Sequence, residues 1–157
     1  MAPFSIQFQR SHDIDWFARI NNTYIHALSF GGLLPKEVNN REVNYNILRH
    51  VYRFEPENEI KIVVNDAYVD RRIRPQAREN DITDFERRKE RYLLHFRELA
   101  KRGFWSFDRD LNDEKVYHLI AKPEGKIDKE WYESRVPVLG EKASIRENDN
   151  DVTLVLE

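Results

Sequence analysis

The segment RGFWSFDRDLNDEKVYHLIAK, residues 102–122, places two apolar runs on either side of a short acidic stretch. Apolar and polar residues alternate in both runs, and the Asp, Asn and Glu residues between them are typical of a turn. The segment therefore predicts a β-hairpin. Because side chains alternate across a strand, the register that we favour gives one strongly apolar face. That face consists of Trp105, Phe107, Tyr117, Leu119 and Ala121.

The residues just before the hairpin predict a helix over 84–102. Thr83 and Glu86 have the three-residue spacing of a capping box, and Gly103 can adopt the left-handed conformation that ends a helix. Between these signals, apolar residues recur at helical spacing: Phe85, Tyr92, Phe96 and Leu99. We expect this helix to pack on the apolar face of the hairpin, so we interpret that face as core rather than as a binding surface.

The N-terminal third predicts one strand and two helices. Apolar and polar residues alternate over 4–10, as in a strand with one buried face. From Ile14 to Leu28 the apolar residues instead recur every three or four positions. Pro35 can open a further helix at its first position, and helical spacing continues to Phe54. The expected elements are a strand at 4–10, a helix over 11–30 and a helix over 35–54.

The rest of the chain predicts short strands joined by polar segments. EIKIVV, residues 59–64, is β-branched and alternating, and we expect it at or next to the centre of the sheet. The polar, arginine-rich segment 65–82 is expected to be the end of that strand followed by an exposed loop. Beyond the hairpin, the pattern predicts a short helix or turn at 126–135, an irregular to extended segment at 136–145 and a last strand at 151–157.

Size and composition indicate a folded chain with its own core. The 157 residues are 40% hydrophobic and 12% aromatic, which suits one domain over residues 1–157. The order of the elements predicts an α+β fold, with about three helices packed on a mostly antiparallel sheet of four or five strands. The chain has no cysteine, which excludes disulfides and thiolate chemistry. Without a segment of about 20 apolar residues or a signal-peptide pattern, we expect a cytoplasmic protein without membrane contact.

The strongest polar signal is the basic segment 71–102, which holds eleven lysines and arginines against six acidic residues. Arginine binds carboxylates and phosphates through paired hydrogen bonds. We interpret the arginine-rich loop at the start of this segment, together with the aromatic hairpin, as the surface by which a small binding or accessory module engages a protein partner. A solvated helix face is the alternative, because acidic residues are interleaved with the bases. The candidate binding residues are Arg71, Arg72, Arg74, Arg78, Arg87, Arg88, Arg91 and, on the polar side of the hairpin, His118.

A second hypothesis is a nucleic-acid-binding protein that uses the same arginines. A helix over 84–102 followed at once by a hairpin is similar in layout to the recognition helix and wing of a winged-helix DNA-binding domain. The tip of this hairpin, however, is acidic and would be repelled by phosphate groups. Its acidic residues are Asp108, Asp110, Asp113 and Glu114.

A third hypothesis is a metal-dependent hydrolase. Glu59 and Lys61 would point to the same side of a strand, where a carboxylate can hold a metal ion while the lysine polarises a phosphate, and His118 could assist. The sequence has no phosphate-binding glycine loop and no nucleophile elbow. It therefore favours a non-enzymatic function and predicts neither a metal site nor a cofactor. The five histidines are scattered over four predicted elements without a metal-binding spacing: His12, His26, His50, His95 and His118.

Overall fold

The computed structural model describes residues 3–56, 59–127 and 130–157. Within these ranges the chain forms five α-helices and seven strands of one mixed sheet. The helices are α1 (Ile6–Ser11), α2 (Arg41–Val51), α3 (Asp66–Ile73), α4 (Ile82–Ala100) and α5 (Glu130–Arg135). The strands are β1 (Asp15–Ile20), β2 (Thr23–Leu28), β3 (Ile62–Val64), β4 (Trp105–Arg109), β5 (Val116–Pro123), β6 (Ala143–Asn148) and β7 (Asp151–Leu156).

The sheet is larger and more mixed than the sequence predicts. Its strands follow the order β1-β2-β4-β5-β7-β6, and β3 pairs with the C-terminal end of β5. Strands β2 and β4 run parallel, whereas the other neighbours run antiparallel. The α+β character is confirmed. The expected sheet of four or five strands with about three helices is wrong, because segments predicted as helix and as irregular structure contribute strands, and segments predicted as strand and loop contribute helices.

Residues 11–30 contain the β1–β2 hairpin instead of the expected helix. Asn21 has a φ of 53°, so Asn21 and Asn22 form a two-residue turn with the left-handed backbone that asparagine tolerates. Three consecutive residues of β1 are buried: Trp16, Phe17 and Ala18. Burial on both faces removes the alternation that identifies a strand, and the remaining apolar spacing also fits a helix.

Two further segments are helical where a strand and a loop are expected. In 4–10, the side chain of Ser5 caps α1 by accepting a hydrogen bond from the amide three residues later. In 65–82, the side chain of Asn65 caps α3 in the same way. Such caps satisfy the free amides of the first helical turn. The caps favour a helix in 4–10 more strongly than the short apolar alternation favours a strand. In 65–82 they favour a helix more strongly than the high polarity favours a loop.

Several predicted elements are confirmed. Helix α4 is present with Gly103 at a φ of 103° beyond its end, although its N-cap is Asp81 rather than Thr83. Helix α2, the β4–β5 hairpin and β7 also occupy the predicted segments. Helix α5 confirms the short helix expected at 126–135, of which residues 128–129 lie outside the described part.

Strand β3 confirms a strand within 59–64 but not its central position. Among the described residues it pairs only with β5. Its middle residue, Val63, is 41% exposed. A three-residue strand at the sheet margin presents little unpaired backbone, which is a common protection of sheet edges.

The β4–β5 hairpin lies in the middle of the sheet, and its predicted register is confirmed in part. Phe107 pairs with Leu119, and both join Tyr117 in a cluster with residues of β1 and β2. An irregularity beside Phe107 pairs Ala121 with Ser106, which moves Ala121 to the opposite face. Helix α4 packs on that opposite face. The expected contact between α4 and the face of Phe107 is therefore wrong, because the hairpin is buried on both sides.

The sheet curls around the cluster that contains Phe107. Trp16 of β1 and Leu154 of β7 both belong to this cluster, although several strands separate them in the sheet. The backbone near Pro137 extends the free edge of β1: the Arg19 amide donates to the Pro137 carbonyl, and the Leu139 amide donates to the Arg19 carbonyl. The inner face is thus covered by the curled sheet together with Phe4 and Phe8 at α1, and the outer face carries α2, α3 and α4.

A buried ion pair joins the outer helices to the sheet. Arg72 of α3 lies 3.2 Å from Asp108 of β4, and each side chain is only 5% exposed. Arg72 also donates hydrogen bonds to the Tyr68 hydroxyl and to the Arg109 carbonyl oxygen. The Tyr92 hydroxyl of α4 donates to the same carboxylate. Arg72 is therefore a structural residue, and the exposed loop expected around it is wrong.

Arg72→Ala should destabilise the fold by about 3–5 kcal/mol, because it leaves the Asp108 carboxylate buried without its cation. Urea denaturation at neutral pH measures the change. The matched control is Arg71→Ala, since Arg71 is exposed and only lies over the Tyr68 ring; its effect should stay below about 1 kcal/mol. Equal effects of the two substitutions would contradict a structural ion pair.

Candidate metal centre

Three potential metal ligands converge on the outer face of the sheet. Asp15 comes from β1, His26 from β2 and His95 from α4. The Nε2 atoms of His26 and His95 each lie 2.6 Å from Oδ1 of Asp15. One ligand atom of each residue lies within 4.8 Å of the other two. Two imidazoles and one carboxylate at this spacing can share a single metal ion.

Strand pairing places the first two ligands. In the β1–β2 hairpin, Phe17 lies opposite His26, so Asp15 is the diagonal neighbour of His26 on the same face. The parallel pairing of β2 with β4 puts His26 beside Ser106. Helix α4 crosses this face and brings His95 within 5.2 Å of the His26 ring, measured between ring centroids.

Each histidine is held at its second nitrogen by a hydroxyl group. The Ser106 Oγ lies 2.5 Å from Nδ1 of His26, and the Tyr52 Oη lies 2.6 Å from Nδ1 of His95. An ionised Asp15 can only accept, so both Nε2 atoms donate to it, and a neutral ring then accepts a hydrogen bond from the hydroxyl at Nδ1. A metal ion at Nε2 would shift each ring proton to Nδ1, and the hydroxyls can then rotate and accept. Ser106 and Tyr52 can therefore hydrogen-bond to the two histidines both with and without a metal ion at Nε2.

The charge states in this cluster are those that metal binding requires. Burial raises the pKa of the Asp15 carboxyl, but hydrogen bonds from His26 and His95 outweigh it and hold this pKa well below its usual range. Burial lowers the pKa of His26 despite the nearby carboxylate. Burial and the charge of Asp15 raise the pKa of Tyr52 to about 12. The site thus offers a carboxylate and a neutral imidazole, beside a phenol that keeps its proton.

The cluster is closed on one side and open on the other. The side chain of His26 is 0% exposed, whereas those of Asp15 and His95 are 23% and 34% exposed. Tetrahedral zinc with bonds of 2.0–2.1 Å separates its ligand atoms by roughly 3.3 Å. Each nitrogen would therefore have to move about 0.7 Å from the Asp15 oxygen. Three protein ligands with one accessible side match catalytic zinc sites rather than closed structural ones.

Ser106, His26 and Asp15 also have the residue types of a serine nucleophile with its base and acid. Ser106 is completely buried, and its hydroxyl already contacts the His26 ring. A nucleophile must reach the substrate's carbonyl carbon. A serine enclosed in this way cannot do so, and Ser106 acts as a positioning partner of His26.

The structure spreads the seven candidate arginines over different environments. Arg72 is buried against Asp108, whereas Arg87 and Arg88 both pair with Asp84, at 2.8 and 3.0 Å. The remaining four are exposed: Arg71, Arg74, Arg78 and Arg91. Arg71 and Arg74 lie over aromatic rings, and Arg78 lies 3.9 Å from an aspartate. The exposed guanidinium groups come from α3, the turn after it and α4, so the basic segment is not one continuous stripe.

His118 lies in a second polar cluster on the outer face. Its two ring nitrogens each lie 2.7 Å from a carboxylate, one of Asp110 and one of Asp151. Tyr68 stacks on the His118 ring at 3.9 Å and accepts a hydrogen bond from Arg72. Of the predicted binding residues, His118 and Arg72 are thus linked through Tyr68. The two carboxylates lie on opposite sides of the ring and do not converge as metal ligands.

The predicted pair of Glu59 and Lys61 is not on one strand face, because β3 begins after both residues. Both side chains are exposed. The ligands that converge instead, Asp15 and His95, are 80 positions apart in the sequence. The sequence contains no local spacing that could reveal this convergence, and the expected helix over 11–30 would have placed Asp15 and His26 on one helix.

Comparison with protein-family models, curated proteins and solved structures finds no match for this chain. Within the described ranges, no helix combines the length and the apolar character needed to cross a membrane.

The buried Asp108 carboxyl predicts a pH-dependent stability. Burial raises its pKa from 3.8 to about 6, against the opposing effects of Arg72 and Tyr92. The native state therefore binds a proton more tightly than the unfolded state between these values, and this contribution is lost as pH rises through about 6. From pH 4 to 7 the wild type should lose about 2.4 kcal/mol relative to Asp108→Asn, at about 1.4 kcal/mol per pKa unit.

Urea denaturation of both proteins at pH 4, 5, 6 and 7 measures this difference. Asp113→Asn, in the exposed hairpin turn, serves as the control and should follow the wild type. A stability difference between wild type and Asp108→Asn that does not change with pH would show that Asp108 keeps an ordinary pKa.

Proposed function

We propose that this chain binds one divalent transition-metal ion through Asp15, His26 and His95 and uses it to activate water for hydrolysis. The observation that carries the proposal is the convergence of three ligand atoms from three elements within 4.8 Å. The partly exposed side formed by Asp15 and His95 supports a catalytic rather than a structural role, because a water molecule needs an accessible position on the ion.

The donor set favours a transition metal over magnesium or calcium. Imidazole nitrogen suits Zn²⁺, Fe²⁺ and Co²⁺, whereas Mg²⁺ and Ca²⁺ prefer oxygen ligands. We take Zn²⁺ as the expected ion because hydrolysis needs no redox change. Two histidines and one carboxylate also hold Fe²⁺ in oxygenases, so the binding experiment must also measure which metal ion the site prefers.

Each protein group has a defined part in the proposed reaction. A bound zinc ion lowers the pKa of water to about 7 and polarises the bond under attack. Asp15 and His26 fix the ion on the buried side, and Ser106 fixes the orientation of His26. Tyr52 keeps its proton and stands beside His95 at the open side. The water oxygen bonds to the substrate's acyl or phosphoryl centre, the bond to the leaving group breaks, and the leaving group takes the proton.

This proposal keeps the hydrolase hypothesis but assigns it to other residues than Glu59, Lys61 and His118. Binding of a protein partner remains a prediction, with Arg71, Arg74, Arg78 and Arg91 as its candidates. Nucleic-acid binding is less favoured, because Arg72, Arg87 and Arg88 already pair with internal carboxylates and fewer guanidinium groups remain for phosphates.

Titration of the chelator-treated protein with Zn²⁺ should give one ion bound per chain. Asp15→Asn and His95→Gln should each weaken binding by about 100-fold or more, since substitution of outer partners alone costs 10–100-fold. Isothermal titration calorimetry measures the affinity. Co²⁺ provides an independent readout, because its visible absorption distinguishes four- or five-coordinate from six-coordinate sites.

His50→Gln is the matched control, because His50 contacts Asn46 of its own helix and the Trp131 ring. This variant should bind zinc as the wild type does. Equal zinc affinity in wild type, Asp15→Asn and His95→Gln would refute the assigned ligands, provided that all three melt cooperatively.

Ser106→Ala separates the metal mechanism from a serine nucleophile. It should weaken zinc binding about 10-fold, because His26 loses the partner that orients it. At saturating zinc, however, hydrolysis of an activated ester such as p-nitrophenyl acetate should persist. Complete loss of ester hydrolysis in Ser106→Ala with full zinc occupancy would instead identify Ser106 as the nucleophile.

A further inference from the structure

A cavity of about 600 Å³ opens beside Asp15. This volume lies within the range of small-molecule binding sites. Its apolar wall is formed by Phe4, Phe8, Ile14, Tyr45 and Leu48. Asp15 is therefore shared between the candidate metal centre and the cavity, and a molecule in the cavity would lie next to the proposed ion.

An arginine without a carboxylate partner stands at this cavity. Arg41 lies over the rings of Phe4 and Phe8, at 6.0 and 5.8 Å from their centroids. Among the described residues, no carboxylate forms a salt bridge with Arg41, and its side chain is exposed. The guanidinium group is thus held near the two rings at the cavity. Its edge can donate two parallel hydrogen bonds to a carboxylate.

The acidic residues at the cavity do not cancel the preference of Arg41 for a carboxylate once a metal ion is bound at Asp15. Asp13 accepts a hydrogen bond from the Phe30 amide, and Asp15 accepts from the two histidines. Together with Glu42 and Arg41, they give the cavity a formal charge of −2. A divalent ion at Asp15 neutralises it. A ligand with a single negative charge then fits better than a doubly charged phosphate.

We infer that the cavity binds a small organic monocarboxylate, with an apolar body against the aromatic wall and the carboxylate on Arg41. As the substrate class, this corresponds to an ester or amide that also carries a free carboxylate. The substrate assignment rests on the proposed function, because it places the bond to be cleaved beside Asp15. Binding of the carboxylate in the cavity can be measured whether or not the metal site functions.

Three probes of similar shape test the charge preference: 4-phenylbutyrate, the neutral 4-phenylbutanamide and 4-phenylbutylamine. Calorimetry or ligand-observed NMR gives their affinities for the chelator-treated and the zinc-saturated protein. We expect the carboxylate to be the best of the three ligands for the zinc-saturated protein and to bind more weakly to the chelator-treated protein, in which the cavity keeps its negative charge. Arg41→Gln should weaken carboxylate binding by about 10-fold or more, from the loss of a charged hydrogen-bond pair, and should leave the amide nearly unchanged.

Arg53→Gln is the matched control, because Arg53 is exposed just beyond α2 and does not line the cavity; it should bind the carboxylate as the wild type does. A preference of the zinc-saturated protein for the amine, no binding of any probe, or equal loss in both arginine variants would overturn the inference. Carboxylate binding that depends on Arg41 in a protein that binds no zinc would support the cavity and refute the metal centre. Zinc binding without carboxylate binding would support the metal centre and refute the assignment of the cavity.

Discussion

The parallel pairing of β2 with β4 is the constraint on which the rest of the structure depends. It places His26 beside Ser106 and Ala27 beside Phe107. Parallel neighbours cannot be joined by a tight turn, so a long crossover from Ser29 to Phe104 connects them, and among its described residues only the short marginal β3 is a strand. This crossover contains α2, α3 and α4, which cover the outer face. The inner face is covered by Phe8 of α1 and by the sheet itself, which curls so that residues of β1 and β7 belong to one cluster.

The same pairing creates a polar position inside an otherwise apolar layer. His26 lies among aromatic side chains, with the Phe17 ring 5.2 Å away, and a polar ring buried there must keep both of its hydrogen-bonding atoms satisfied. Ser106 serves one nitrogen and Asp15 the other. The hydrogen-bonding requirement of the buried imidazole thus explains why Ser106 and Asp15 lie beside His26. Asp15 and His26 can also bind a metal ion, and His95 completes this ligand set because α4 crosses the same face.

Local signals predicted the elements whose ends are marked by caps or turns. Helix α4 and the central hairpin were predicted because their apolar spacing and their ends agree. The β1–β2 hairpin was not, because strands buried on both faces lose their alternation and the remaining apolar spacing also fits a helix. The role of Arg72 and the convergence of Asp15 with His95 depend on tertiary packing, which connects residues that share no local pattern.

The crossover also has a consequence for the order of events during folding. The hydrogen bonds between His26 and Ser106 and between Asp15 and His95 each close a loop of 80 positions. Contacts of such long range form slowly, because most of the chain must be ordered first. In zinc fingers the ion drives folding of the peptide that binds it. Here the β1–β2 hairpin brings only Asp15 and His26 together, and the third ligand, His95, arrives when α4 packs on the sheet, so the complete ligand set would form late in folding.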